Sequence, residues 1–102
     1  MNVLLSNWVV KIMGKASKND LDRILSRTAI VIVLGEESYW EEIYLLNVSS
    51  TCGAPSFYIA VYSERSTTPS ILCHKERAIL TIGYNHELAV IDLSAPKIMI
   101  RK

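Results

Sequence analysis

Ser17-Lys18-Asn19-Asp20-Leu21-Asp22-Arg23-Ile24-Leu25-Ser26-Arg27 runs straight into Thr28-Ala29-Ile30-Val31-Ile32-Val33-Leu34-Gly35, and this stretch sets the fold class. In its first half Leu21, Ile24, Leu25 and Thr28 recur at i, i+3, i+4 and i+7, which makes one apolar stripe of a helix. Ser17 stands where a side-chain oxygen caps the first unpaired N–H groups, with Asp20 three residues on in the capping-box position. Asp20 and Asp22 sit at the positive end of the helix dipole and Arg27 at its negative end. The pattern predicts one helix over about 17–27. From Thr28 the residues turn β-branched and apolar on both faces, which predicts a central strand covered on both sides and ended by Gly35.

Working outward, nearly everything else reads as strand. The opening segment Val3–Met13 fits a helical stripe through Leu5, Trp8, Val9 and Ile12, but Val9-Val10 and Ile12 are β-branched and favour a strand. Downstream, Glu42–Val48, Ser56–Ser63, Ile71–His74, Arg77–Tyr84, Glu87–Leu93 and Lys97–Arg101 are short β-rich runs. Gly, Pro, Asn or Ser punctuate most of the gaps between them. Asn85-His86 joins two of these runs as a two-residue hairpin loop, and Asn tolerates the positive φ that such a turn demands. Strand–helix–strand at the start implies a right-handed crossover and one parallel pair. The later gaps are too short for crossovers and imply an antiparallel meander. The expectation is a single α+β domain over residues 1–102. It has one mostly antiparallel, curved sheet of seven or eight strands with the helix packed on one face, a β-α-β start followed by a β-meander. Residues 77–101, with Gly83, Val90, Ile91, Asp92, Leu93 and Lys97, resemble two strands of a β-propeller blade. The pattern occurs once and a propeller needs several blades to close, so hairpin periodicity accounts for it.

The chain has 102 residues, half of them hydrophobic, with 11 basic and 10 acidic side chains and a formal charge of +1. That apolar fraction excludes disorder, and the balanced charge argues against a polyanion-binding protein. The balance comes from cancellation. Residues 1–27 carry Lys11, Lys15, Lys18, Arg23 and Arg27 against Asp20 and Asp22, a net +3. Residues 28–64 carry Glu36, Glu37, Glu41, Glu42 and Glu64 and no basic residue, a net −5. Residues 65–102 return to +3. No apolar run approaches the ~20 residues that span a bilayer, and the first residues lack the basic start and cleavage site of a secretory signal. Cys52 and Cys73 are too few for a disulfide scaffold, and free, buried thiols in a reducing cytoplasm are the expectation.

No glycine pattern for phosphate binding is present, and no G-x-S-x-G elbow. Cys73 and His74 are adjacent, so on a strand they point to opposite faces and cannot both join Cys52 and His86 in a four-ligand zinc site. No metal and no cofactor are expected. The sharpest catalytic alternative is a thiol enzyme, with Cys52 in the turn Thr51-Cys52-Gly53-Ala54-Pro55 as nucleophile and His74 or His86 as base. Paired acids in Glu36–Glu42 working on a sugar are a further alternative, though unusual on one short loop.

The favoured expectation is a surface. Glu37, Tyr39, Trp40, Glu41, Glu42 and Tyr44 bring aromatic rings and carboxylates together, a composition suited to a basic protein partner. Six of the chain's eight aromatic residues fall within the acidic block, and on strands half of them should point inward. The function expected is a non-enzymatic interaction module, of the kind used by small cytoplasmic inhibitor or immunity-type proteins. Nucleic acid and membrane partners are not expected, because Asp20 and Asp22 interrupt the basic helix and no aromatics interleave with its charges. A third possibility is a structural subunit that forms homo-oligomers through a sheet edge, using Lys97–Arg101 or the opening strand.

Overall fold

The computed structural model describes residues 2–5, 7–27, 31–35, 41–53, 55–64, 68–74, 78–84, 87–94 and 97–101. The elements are β1 (Asn2–Leu5), β2 (Trp8–Ala16), α1 (Lys18–Arg27), β3 (Val31–Leu34), β4 (Glu41–Ser50), β5 (Phe57–Glu64), β6 (Ser70–His74), β7 (Ile79–Tyr84), β8 (Glu87–Asp92) and β9 (Lys97–Arg101). The fold is α+β, with one helix and otherwise strand among the described residues. The cap of α1 is reciprocal: Ser17 N–H donates to Asp20 Oδ2 and Asp20 N–H donates to Ser17 Oγ, both at 3.1 Å. Helical bonding begins with Leu21 N–H donating to the Ser17 carbonyl at 3.1 Å.

The strands form two open sheets in place of the single curved sheet expected. One has five strands in the order β1-β2-β4-β5-β3 and the other four in the order β6-β7-β8-β9. The sheets share one core. Val10, Ile32, Leu34, Leu46, Val48, Phe57, Ile59 and Val61 from the first pack with Leu80, Ile82, Tyr84, Ala89 and Ile91 from the second. Trp8 meets Phe57 edge-on within it, ring centroids 6.1 Å apart. The opposite face of the five-stranded sheet holds a smaller core, in which Leu21 of α1 packs with Ile43, Leu45, Ala60 and Tyr62. Three layers result: helix, sheet, sheet.

The hidden variable was how the strands divide between layers. On β4 and β5 alternate residues serve different cores, Leu46 and Ile59 one, Leu45 and Ala60 the other. That double coverage identifies the middle layer, and the gap after β5 is where the chain leaves it. The six later strands therefore split into the hairpin β4–β5 and a separate meander β6–β9. The expected central strand Thr28–Leu34 is corrected too: its described part, β3, lies at the edge of the sheet. Its apolar character on two faces reflects coverage above and below, with Val31 under the helix and Ile32 and Leu34 in the larger core. Sideways it has one neighbour, β5, to which it runs parallel. The expected parallel pair is thus present, but between β3 and β5; β4 and β5 separate β3 from β2. The opening segment is two strands, β1 and β2, joined as a hairpin, which raises the number of strands above the seven or eight expected.

β2 also changes face along its length. Its ladder with β4 shifts register between Ile12 and Gly14, so Met13 is an inserted residue. Before the bulge, Trp8, Val10 and Ile12 face the second sheet; after it, Ala16 faces the helix. Gly14 sits in the left-handed region at φ 86°, as a bulge of this kind favours. Gly35, at the same φ, ends β3. A Cβ there would lie 3.0 Å from the Tyr62 carbonyl oxygen, whereas one on Gly14 would meet nothing within 4 Å. Gly14→Ala should therefore cost only the left-handed strain of about 1–2 kcal/mol. Gly35→Ala should cost visibly more, because backbone strain and collision add. Urea unfolding of the two variants side by side checks this; equal midpoints would refute the packing described around Gly35.

Candidate partner-binding surface

The topology turns the acidic block into a place. β4 begins with Glu41 and Glu42, and its antiparallel register with β5 sets Glu41 opposite Glu64 and Glu42 opposite Ser63. β3 runs parallel to β5, with Leu34 opposite Val61, so it finishes at this same end. The chain leaves β3 at Gly35 and β4 begins with Glu41 at this same end. β2 also ends here, with Ala16 opposite Ile43, and α1 starts beside it with Asp20 in its first turn. Residues distant in sequence are thus gathered at one end of the middle sheet.

One ion pair is described at this end. Lys15 Nζ lies 3.1 Å from Glu42 Oε2. The hydrogen bond to Glu42, then its charge and that of Tyr44 nearby, hold the Lys15 ammonium charged to higher pH than usual. The pair is half open to water, so its net contribution to stability is small. Its effect here is to fix one carboxylate on β4. Asp20 is shifted the other way: the Ser17 backbone N–H, then the Ser17 hydroxyl, hold its carboxyl below the ordinary value of 3.8.

The expected site residues fall into three groups. Glu37, Tyr39 and Trp40 lie outside the described residues, as does His86. Glu41 and Glu42 open β4 at the acidic end. Tyr44 follows on the same strand, but its ring is half-buried against the larger core and its hydroxyl is 3.3 Å from Thr68 Oγ1. Among the neighbouring aromatics, Phe57 and Tyr62 are buried, and Tyr58 is half-exposed. Among the described aromatics of the acidic block, Tyr44, Phe57 and Tyr62 therefore serve packing.

Of the thiol alternative, Cys52 and His74 are described, and each has hydrogen-bond partners of its own. Cys52 is exposed in the turn after β4, contrary to the buried thiol expected, because that turn carries it past the last β4 residue. Its N–H donates to Ser50 Oγ at 2.9 Å, and its Sγ is 3.9 Å from Thr51 Oγ1. His74, at the end of β6, is exposed and shares a 3.1 Å hydrogen bond with Thr81 Oγ1 across the β6–β7 ladder. Cys73 and His74 do face opposite ways, Cys73 onto the core and His74 outward. Among the described residues, no three His, Cys, Asp or Glu side chains come together as metal ligands, and no helix is long and apolar enough to cross a membrane.

Sequence reasoning missed the contribution of α1 and Lys15 to this end of the molecule. The signal for Lys15 was its spacing from the helix cap, but its partner depends on the Met13 bulge, which no local pattern announces. No family model, curated protein or solved structure matches this chain.

The cap supplies a test that is independent of any partner. Asp20 is depressed in the folded chain, so its stabilisation is present above the unfolded value and is lost as pH falls through the folded one. Ser17→Ala should lower stability near neutral pH by about 1 kcal/mol. It should also return the Asp20 carboxyl, followed by NMR titration, toward its ordinary value. An unmoved Asp20 titration in that variant would contradict the reciprocal cap.

Proposed function

We propose that this protein is a non-enzymatic binding module whose partner surface is the acidic end of the five-stranded sheet, centred on Glu36–Tyr44, and whose partner is a protein with a basic surface. One observation carries the reading: β3, β4 and β5 all start or finish where Glu41, Glu42 and Glu64 collect, while the described residues supply a single ion pair there. Clustered carboxylates raise the association rate with a basic partner and repel acidic ones. Tyr39 and Trp40, within the same segment, are residue types that dominate interface energetics once desolvated. The mode of action that fits is that of a small inhibitor or immunity-type protein, which acts by covering a basic functional surface of its target.

The test compares the tagged wild-type chain, Trp40→Ala and the pair Glu41→Lys with Glu42→Lys as baits in a lysate of the native host. Both variants should lose a partner that the wild type retains, and their unfolding midpoints, measured alongside, separate loss of binding from loss of fold. Retention by the wild type should weaken with added salt. Undiminished retention by both variants would reject the acidic end as the binding surface.

A second reading has its own support. β1 and β9 are terminal strands of their sheets, the places from which edge-to-edge assembly starts. Under this reading light scattering should give at least twice the 11.5 kDa chain mass; a concentration-independent monomer would eliminate it.

A further inference from the structure

The four-stranded sheet has two edges of different character. β9, at one, carries Lys97 and Arg101, and its ladder with β8 shifts register between Val90 and Ile91. Charged residues and bulges of this kind disfavour pairing with a further neutral strand. β6, at the other edge, reads Ser70-Ile71-Leu72-Cys73-His74, with no acidic residue, lysine, arginine, glycine or proline. Its ladder with β7 is regular at every position from Ser70 to His74, and β7 is its one neighbour in the sheet. His74 and Thr81 share a 3.1 Å hydrogen bond across that ladder, which ties the end of the strand to β7. A regular, neutral edge strand offers its outer row of backbone donors and acceptors to a strand that can lie alongside.

The side chains of β6 are complementary to a copy of themselves. Exposure alternates symmetrically about Leu72: Ser70, Leu72 and His74 are exposed, while Ile71 and Cys73 are half-buried and pack against the larger core. An antiparallel pairing of two β6 strands centred on Leu72 sets Leu72 opposite Leu72 of the second copy, Ile71 opposite Cys73, and Ser70 opposite His74. Apolar then meets apolar, polar meets polar, and no pair brings like charges together. Leu72 is 59% exposed, the most exposed of the large hydrophobic side chains described. The pairing gives it an apolar partner at ~4.5–5.5 Å between Cβ atoms. On the other face it carries the apolar border formed by Ile71 and Cys73 across from one copy to the next.

We propose that β6 is a dimerisation edge, along which two copies of this chain pair antiparallel about a two-fold axis at Leu72 and join their four-stranded sheets edge to edge. A pairing of β6 with itself is isologous and closes at two copies. A pairing of β6 with β9 would run head to tail and stay open-ended, and the charges and register shift of β9 stand against it. The dimer uses an edge other than β1 and β9, and it does not depend on the acidic end. One strand pair buries less than a standard interface, so dimer and monomer exchange, with half-association on the order of 0.1 mM.

Two experiments on the full chain test this. In sedimentation equilibrium the mass should rise from 11.5 kDa toward twice that value as concentration increases. Leu72→Lys, which sets two ammonium groups opposite each other on the two-fold axis, should weaken association by about tenfold or more; its amide spectrum reports whether the variant is folded. The second experiment reads the register with a one-carbon bismethanethiosulfonate bridge, in a Cys52→Ser background that removes the exposed native thiol. Leu72→Cys should cross-link to itself. Ser70→Cys and His74→Cys should each fail alone, since like positions then lie ~13 Å apart along the strands, and should cross-link when the two variants are mixed. A mass fixed at 11.5 kDa up to ~1 mM would overturn the proposal. So would a dimer undiminished in folded Leu72→Lys, which would place the contact at another edge, or cross-linking of Ser70→Cys alone as efficient as that of Leu72→Cys.

Discussion

The two strands β4 and β5 bury apolar side chains on both faces, and the rest of the molecule follows from that. Ile59 and Val61 lie at 0% exposure on one side of β5, and Ala60 at 0% on the other. A strand pair of this kind cannot face water on either side, so the sheet that contains it needs two covers. A single ten-residue helix covers one face in part. The second cover has to be larger, and the chain supplies it as a separate four-stranded meander whose inner residues Leu80, Ile82, Ala89 and Ile91 are all at 0% exposure. At roughly 25 cal/mol per Å² of apolar surface, this shared core is the dominant stabilising term of the fold.

The Met13 bulge reconciles that demand with the helix. β2 must supply Trp8 and Val10 to the larger core, yet Ala16 must meet the helix that begins two residues later. With a strict two-residue period an even-numbered position cannot change sides. One inserted residue reverses the phase, and Gly14 accepts the backbone conformation that the insertion requires. The same insertion turns Lys15 onto the face where Glu42 and Tyr44 lie. A local irregularity thereby links the core and the acidic end.

The sequence was informative where the physics is local. Ser17 and Asp20 announced the helix start, and the helix stripe through Leu21 and Ile24 is the side that packs, although Leu25 is 47% exposed. Most strand positions were also readable from β-branched runs and their punctuation. The division into two sheets was not, because alternation along a strand tells which faces are covered and says nothing about what covers them or which strands lie alongside. Thr28–Leu34 shows this directly: two apolar faces suggested a central strand, and β3 is an edge strand sandwiched between helix and second sheet. The candidate surface was legible as a charge block on the chain. Its gathering at one end of a sheet depends on the parallel pairing of β3 with β5, a contact between segments whose separation no sequence pattern encodes. Tyr44 could not be assigned to the surface or the core from alternation alone, since its strand is apolar on both sides.

The central claim is that β4 and β5 form the doubly covered middle of a helix–sheet–sheet stack. Native-state hydrogen exchange across a urea series tests it most directly, because it separates amides that open locally from those that require global unfolding. The account predicts that the bonded amides of β4 and β5 share the highest opening free energy and the full denaturant dependence of global unfolding, with those of β1 and β6 opening at lower cost. If β4 or β5 exchanges by local opening while β7 and β8 stay protected, the middle layer is elsewhere and the account is wrong.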